Sequence, residues 1–194
     1  MNETDQVKWD RIYTGSAAKS VGPCRVLSSH IHLLPTRGEA LDLACGRGGN
    51  ALFLAACGLA TRAWDISGVA IQALSEQASQ RRLSLITEQR DVTIDPPTPE
   101  SFDVIVVSRF LDRTLAPAIS AALRARGLLF YQTFIREKVT DTGPDNPAYR
   151  LAPNELLQLF PSLQVLHYHE EGAVGDTRRG FRNEAMLVAQ KRHC

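Results

Sequence analysis

The ten residues Leu41-Asp-Leu-Ala-Cys-Gly-Arg-Gly-Gly-Asn50 constrain the fold of this chain more than any other stretch. They read as a buried strand that stops abruptly in a glycine turn, with a helix beginning just beyond. The next apolar run, Ala60-Thr-Arg-Ala-Trp-Asp65, ends in a carboxylate. Glycines let a backbone approach a ligand closely, and an acid one strand over accepts ribose hydroxyls. An α/β sheet that holds an adenosine uses both.

The remaining pattern extends that sheet. Val7 to Tyr13 carries Trp9, Ile12 and Tyr13 among charges, which suggests a short N-terminal helix or cap. Cys24 to Leu34 has near-helical apolar spacing that Pro35 ends. Glu39 to Ala44 is the first strand. Asn50 to Cys57 is rich in Ala and Leu, with Gly58 where a helix C-cap belongs. Ser67 is a cap candidate for a helix reaching Arg82. Leu83 to Asp91 alternates like a strand and again ends in aspartate. Asp95-Pro-Pro-Thr-Pro99 can be neither helix nor central strand. Phe102 to Ser108 is almost uninterruptedly apolar, as a parallel strand covered on both faces must be. A helix to Arg126, a strand Leu128 to Phe134, a short helix Asn154 to Phe160 and strands Gln164 to Glu170 and Glu184 to Gln190 complete the chain. Right-handed crossovers make the first five strands parallel, and the last two can pair antiparallel.

At 194 residues the chain fits one domain. The expected parts are an N-terminal helical cap (1–35), a ligand-binding core (36–134), a candidate substrate loop or lid (135–153) and a C-terminal helix with a hairpin (154–194). The middle segment is too long for an ordinary connection. Charge is nearly balanced, with 22 basic and 21 acidic side chains, so no long-range field draws the chain onto polyanions. Cys24, Cys45, Cys57 and Cys194 show no CxxC pair and no metal-ligand spacing with the five histidines. Reduced thiols in a cytoplasmic protein are expected. The start, Met1-Asn-Glu-Thr-Asp-Gln6, is polar and unlike a signal peptide, and no run approaches membrane-spanning length. Neither a membrane nor a nucleic acid is an expected partner, and the oligomeric state has no signature.

Asp42-Leu-Ala-Cys-Gly46-Arg-Gly48, with Asp65 and Asp91 ending the next two strands, resembles the class I S-adenosylmethionine-dependent methyltransferases. Gly-Arg-Gly-Gly-Asn50, Trp64-Asp65, Trp9-Asp-Arg-Ile-Tyr13 and Arg182-Asn-Glu-Ala-Met-Leu-Val-Ala189 narrow the likeness to the TehB-like, tellurite-resistance and thiopurine-type branch. The resemblance implies a three-layer, doubly wound, seven-stranded, mostly parallel sheet with a C-terminal antiparallel hairpin. It implies S-adenosylmethionine as cofactor, S-adenosylhomocysteine as product and a small soft or anionic acceptor such as a thiol or chalcogen oxyanion. One departure is that the family's first turn glycine is Ala44 here. Alanine avoids positive φ, so the backbone at 44 is expected to stay extended while Gly46 and Gly48 make the turn.

The expected cofactor set follows. Asp65 takes the ribose hydroxyls, with Ile66 beside it. Asp91 and the Val92 N–H take the adenine edge. Ala44, Gly46 and Gly48 expose backbone to the methionine moiety, with Ser108 closing the fourth strand. By resemblance Asp42 steadies the loop or meets the ligand amino group through water. Trp9 and Tyr13 close over the cofactor, while Arg47 and Asn50 cap the loop. Methyl transfer from a sulfonium needs alignment and water exclusion more than an acid. An ionised acceptor wants positive donors. Candidates are Arg109, Arg150, Arg178, Arg179 and above all Arg182, with Tyr13 and His169 as further positioning residues.

Rival readings share parts of this pattern. Gly46-Arg-Gly48-Gly-Asn-Ala51 fits G-x-G-x-x-A, with Asp65 following 17 residues after Gly48, as in an NAD-dependent oxidoreductase. The short chain and terminal hairpin weigh against it. An adenine-methylating enzyme would carry an Asp/Asn-Pro-Pro-aromatic turn after the fourth strand, where Ser108-Arg-Phe-Leu111 stands; Asp145-Asn-Pro147 comes one strand later. A catechol-type metal enzyme needs an acid where Ser108 is. A binding protein that kept the pocket without the activity would share the same glycines and acids.

Overall fold

A computed structural model describes residues 4–15 and 22–192. Met1 to Glu3, half of the polar start, and Cys194 lie outside them. Alternation decides the layers. Along β4 (Phe102–Ser108), Ile105 and Val107 face one side while Val104 and Val106 face the other, all fully buried. Only a strand with helices on both faces buries both sets. Around it the strands run β3-β2-β1-β4-β5-β7-β6 in one seven-stranded sheet. β1 (Glu39–Leu43), β2 (Ala60–Asp65), β3 (Leu85–Gln89), β4 and β5 (Leu123–Phe134) are parallel. β7 (Glu184–Lys191) is antiparallel and lies between β5 and the edge strand β6 (Leu163–His169). The hairpin is thus inserted with its second strand inward.

α5 (Ala116–Ala122) and α6 (Glu155–Leu159) supply Ile119 and Leu156 to the core on one face. α2 (Arg25–Ser29) and α3 (Gly49–Ala56) supply Val26, Leu27 and Leu54 to the other. α4 (Gly68–Gln80) packs Leu74 and Ala78 against α3 and β2, and the Ser67 hydroxyl accepts from the Ala70 N–H as its cap. α1 (Asp5–Gly15) has no buried residue and lies on α4. Among the described residues no helix is long and apolar enough to cross a membrane. None of their His, Cys, Asp and Glu side chains form a group of three suited to a metal.

Three sequence expectations change. The helix over 24–34 breaks at His30, whose φ of −123° leaves the α region and whose Nδ1 sits 2.9 Å from the Val26 carbonyl. The helix expected to reach Arg126 stops at Ala122, because Leu123 already pairs with Phe102. Pairing resumes at Val104 and Leu128, so the residues between them bulge, with Arg126 at φ 65°. The third, at Ala44, belongs to the site below.

The segment 135–153 is irregular, as expected, yet heavily tied down. Arg150 is 3% exposed and donates to the carbonyls of Pro144, Ile135 and Thr142. Arg113 forks onto Glu155 at 2.6 and 3.0 Å and also reaches the carbonyls of Ala148 and Arg150. Arginine suits this work because its planar fork serves several acceptors at once. Replacing Arg150 with alanine strands those carbonyls. Arg150→Ala is expected to lower stability by roughly 2–4 kcal/mol in urea denaturation and to open 135–153 to protease. An unchanged midpoint and cleavage pattern would mean that other contacts hold the loop.

Candidate functional site

β1 ends in a left-handed residue. Ala44 has φ 54°, not the extended backbone expected of it, and Gly46 and Gly48 follow at 52° and 71°. An alanine there costs about 1–2 kcal/mol, and the surrounding hydrogen bonds hold it in place. The Cys45 N–H donates to the Trp64 carbonyl at 2.9 Å, and the Gly46 N–H donates to Asp65 Oδ2 at 2.7 Å. The other Asp65 oxygen accepts the Ser67 N–H at 2.9 Å. Gly48 caps α3 and lies so close to Leu74 that a side chain would overlap it. The loops after β1 and β2 are therefore held by one carboxylate.

Asp42 is fully buried and does not line the cleft; it accepts from the Ala51 N–H at 3.0 Å and Asn50 Nδ2 at 3.2 Å. Its carboxylate thereby ties the end of β1 to the first turn of α3. Asn50 also donates to Ser108 Oγ and accepts the Cys24 N–H. One strand further, Gln132 accepts the Val26 N–H and donates to Glu184, which also accepts from Arg109 Nε at 3.1 Å. A polar row thus crosses the carboxyl ends of β1, β4 and β5 and the start of β7, and it anchors the first turn of α2. Sequence reasoning overlooked Gln132 and Glu184. The signals were an amide inside Leu128–Phe134 and an acid opening an apolar strand.

α1 covers the loop. The Tyr13 hydroxyl rests where a Gly46 side chain would stand, and burial, then the carboxylate of Asp65, pushes its pKa well above the ordinary phenol value. Trp9 stacks on Tyr13 with ring centroids 5.8 Å apart, and Arg47 donates to the Tyr13 carbonyl at 2.9 Å. Asp10, also overlooked, accepts from the Ser67 hydroxyl at 2.5 Å and the Val69 N–H at 3.3 Å, adding a second cap to α4. Lys8 lies 5.8 Å from the ring centroids of both Trp9 and Tyr149, bringing α1 to the 135–153 segment across the cleft mouth.

The cleft so enclosed has a volume of about 1110 Å³. Its lining includes Trp9, Tyr13, Ala44, Gly46, Arg47, Gly48, Asn50, Asp65, Ile66, Asp91, Val92 and Ser108. Apart from Asp42, every residue of the expected cofactor set is present. Asp91 already accepts from the Thr93 N–H and hydroxyl through Oδ1. Arg90 joins this wall unexpectedly, its guanidinium 4.0 Å from the centroid of the Trp64 ring and paired with Asp95. The lining also includes Arg109, Phe110, Gln132, Phe134, Tyr149, Phe181 and Glu184.

The arginines expected to receive an anion are largely committed elsewhere. Arg182 lines the cleft, but its guanidinium donates to the carbonyls of Arg179, Gly172 and Asp176 and meets Glu171 at 3.1 Å, closing the turn before β7. Arg150 staples its own loop. Arg178 pairs with Asp176, and neither it nor Arg179 lines the cleft. His169 is also outside the cleft; its Nε2 lies 2.6 Å from Glu171 and its ring packs against Phe181. Arg109 and Tyr13 do line it.

Residues 15–185 match the family model described as tellurite resistance protein TehB. Among curated proteins, the chain is 29% identical over 160 residues to "Probable S-adenosyl-L-methionine-dependent methyltransferase TehB" of Haemophilus influenzae, covering 79% of this chain and 51% of that protein. The chain spans about half the length of the curated relatives it matches. The crystal structure of TehB from Haemophilus influenzae superposes with a TM-score of 0.71 at 21% identity, covering 95% of this chain and 67% of that one. A structure described as "Conversion of a Disulfide Bond into a Thioacetal Group during Echinomycin Biosynthesis" gives 0.73 at 20%, with 96% and 92% covered. The shared fold is that of the class I methyltransferases.

The buried acids make stability depend on pH. Burial outweighs the donors Asn50 and Ala51, and with Asp65 nearby the Asp42 carboxyl is pushed up to about 8. Burial raises Asp65 as well, against the two N–H groups it accepts. A carboxyl raised on folding binds more protons in the native state than in the unfolded chain. Its stabilising contribution is whole below the ordinary value of 3.8 and is lost as pH rises through about 8. The urea midpoint is expected to fall between about pH 5 and pH 8, and Asp42→Asn should make that fall shallower, with Asp65 supplying the remainder. A level or rising midpoint would contradict a buried proton.

Proposed function

The chain belongs to the TehB tellurite-resistance family, and from that premise we propose that it transfers a methyl group from S-adenosylmethionine to a small acceptor through a soft or anionic atom, a thiol or a chalcogen oxyanion. The observation that carries this is Asp65, placed in the cleft beside a side-chain-free backbone at Gly46 and Gly48. The cleft suits the cofactor chemically. Each Asp65 oxygen accepts one N–H and keeps capacity for a hydroxyl. Asp91 with the Val92 N–H is the adenine edge in this reading, and the backbone at Ala44, Gly46 and Gly48 meets the amino-acid end. When bound, the cofactor supplies an electrophilic methyl whose leaving group is a neutral thioether.

What remains for the protein is alignment and dryness. Trp9 and Tyr13 cover the glycine loop from α1 and shield it from water. Tyr13, held protonated by its burial, acts as a hydrogen-bond donor and not as a base at neutral pH. Asn50 donates to Ser108, and both line the cleft. The acceptor enters between Arg109, Phe134 and Phe181.

Isothermal titration with S-adenosylhomocysteine and, separately, NAD tests the cofactor. Binding of the first and indifference to the second is the expected result; the reverse would favour an oxidoreductase. Asp65→Ala should weaken the nucleoside by roughly 2–4 kcal/mol, since a charged acceptor is removed from two hydroxyls. A melting curve checks that the variant is folded, and an unchanged dissociation constant in a folded variant would remove Asp65 from the site.

A further inference from the structure

Resting on the methyl-transfer reading, we propose that Arg90 is a positioning residue for the base of the cofactor. Stacked on Trp64 and forked onto the loop after β3, it sets Asp91 and the Val92 N–H for the amino edge of a purine and so makes the cleft select adenine over other bases.

The place of these residues in the sheet creates the need. β1, β2 and β4 each lead into a helix, whereas β3 passes to β4 through residues 90–101 without one. The prolines at 96, 97 and 99 are the local reason. β3 is also an edge strand that pairs only with β2. Asp91 and Val92 therefore sit on a loop at an open edge. Val92 is buried in the core, but Ile94 beside it is 81% exposed and adds little packing. Selective hydrogen bonding needs its groups held to about half an ångström.

Arg90 supplies the tie. Its backbone N–H donates to the Asp65 carbonyl at 2.8 Å, carrying the pairing of β2 and β3 one residue past Gln89. Its guanidinium lies 4.0 Å from the centroid of the Trp64 ring, which is itself buried and met edge-on by Phe102. From that platform Nε donates to the Asp95 carbonyl at 2.8 Å and Nη2 to the Pro96 carbonyl at 3.2 Å. Nη2 also meets the Asp95 carboxylate at 2.8 Å, and Nη1 lies 3.5 Å from Glu88. One flat group thus binds an aromatic face and the far end of the loop together. Arginine can stack and fork at once; lysine cannot.

What the tie holds is an acceptor next to a donor. The Asp91 carbonyl accepts the N–H groups of Ile94 and Asp95, and Asp91 Oδ1 takes both donors of Thr93. Among the described residues nothing donates to Asp91 Oδ2, and the Val92 N–H has no acceptor. Both residues line the cleft. Adenine offers an amino donor beside the N1 acceptor and fits that pair. Hypoxanthine carries a carbonyl and an N1–H instead, which sets acceptor against acceptor and donor against donor.

Calorimetry on the full chain with S-adenosylhomocysteine and S-inosylhomocysteine reads this selectivity without turnover. The wild type is expected to prefer the adenine compound roughly a hundredfold. Arg90→Ala and Arg90→Lys should each cut that ratio about tenfold, because neither restores the stacked fork. Asp95→Ala, at a side chain 67% exposed, removes one loop contact and should cut it severalfold without endangering the fold. Asp65→Ala, placed at the ribose, should weaken both compounds and leave the ratio standing. Thermal melts identify any variant that fails to fold. A ratio near one in the wild type, an undiminished ratio in the folded Arg90 and Asp95 variants, or full rescue by lysine would overturn the proposal. So would an equal fall of the ratio in Asp65→Ala. Failure of S-adenosylhomocysteine to bind the wild type at all would instead sink the methyl-transfer reading and take the proposal with it.

Discussion

The carboxylate of Asp65 is the contact on which the cleft depends. By accepting the N–H groups of Gly46 and Ser67 it ties the turn after β1 to the turn after β2. That tie holds Ala44 in a left-handed conformation that alanine would not choose alone. Both helices that follow begin from these turns, α3 capped by Gly48 and α4 by Ser67. The same acid that faces a ligand is thus also a structural bracket, which is why strain, burial and binding capacity meet at a single residue.

Several arginines act as staples for loop backbone. Arg113, Arg150 and Arg182 each serve several acceptors, mostly carbonyls of irregular segments that no ladder can satisfy. Long loops at the mouth of a site must bury some backbone, and each buried carbonyl needs a donor. Arginine meets that demand with one side chain. The consequence for the cleft is that Arg182, which lines it, has its guanidinium committed to carbonyls and to Glu171.

The polar row from Asp42 to Glu184 has the opposite character. It lies along the inner wall, where low polarity strengthens each hydrogen bond and makes an unpaired group costly. Asn50 and Gln132 satisfy it and also receive the N–H groups of Cys24 and Val26. Cys24 opens α2 at the cleft wall, and burial pushes its thiol up to about 12. The wall is a scaffold first, and of its two acids Glu184 lines the cleft while Asp42 does not.

The strands, their order along the chain and the glycine turn were legible because burial leaves a periodic trace: β4 lies over Phe102–Ser108 as read, and the terminal hairpin was foreseen. The residues that line the cleft from the ends of β1 and β2 were legible too, since strand ends converge on one edge of a parallel sheet whatever their side chains do. Side-chain commitments were not. Nothing local distinguishes Arg182 as a ligand-binding cation from Arg182 as a staple, because its partners are carbonyls brought near by the fold of 171–179. Gln132 and Glu184 meet across β5 and β7, far apart in sequence. Ala44 was read as extended from its own preference, yet bonds to the neighbouring strand override it. Local chemistry by itself settled what each segment would become; only long-range contact, which satisfies or strands each polar atom, decided which side chains were left to face a ligand.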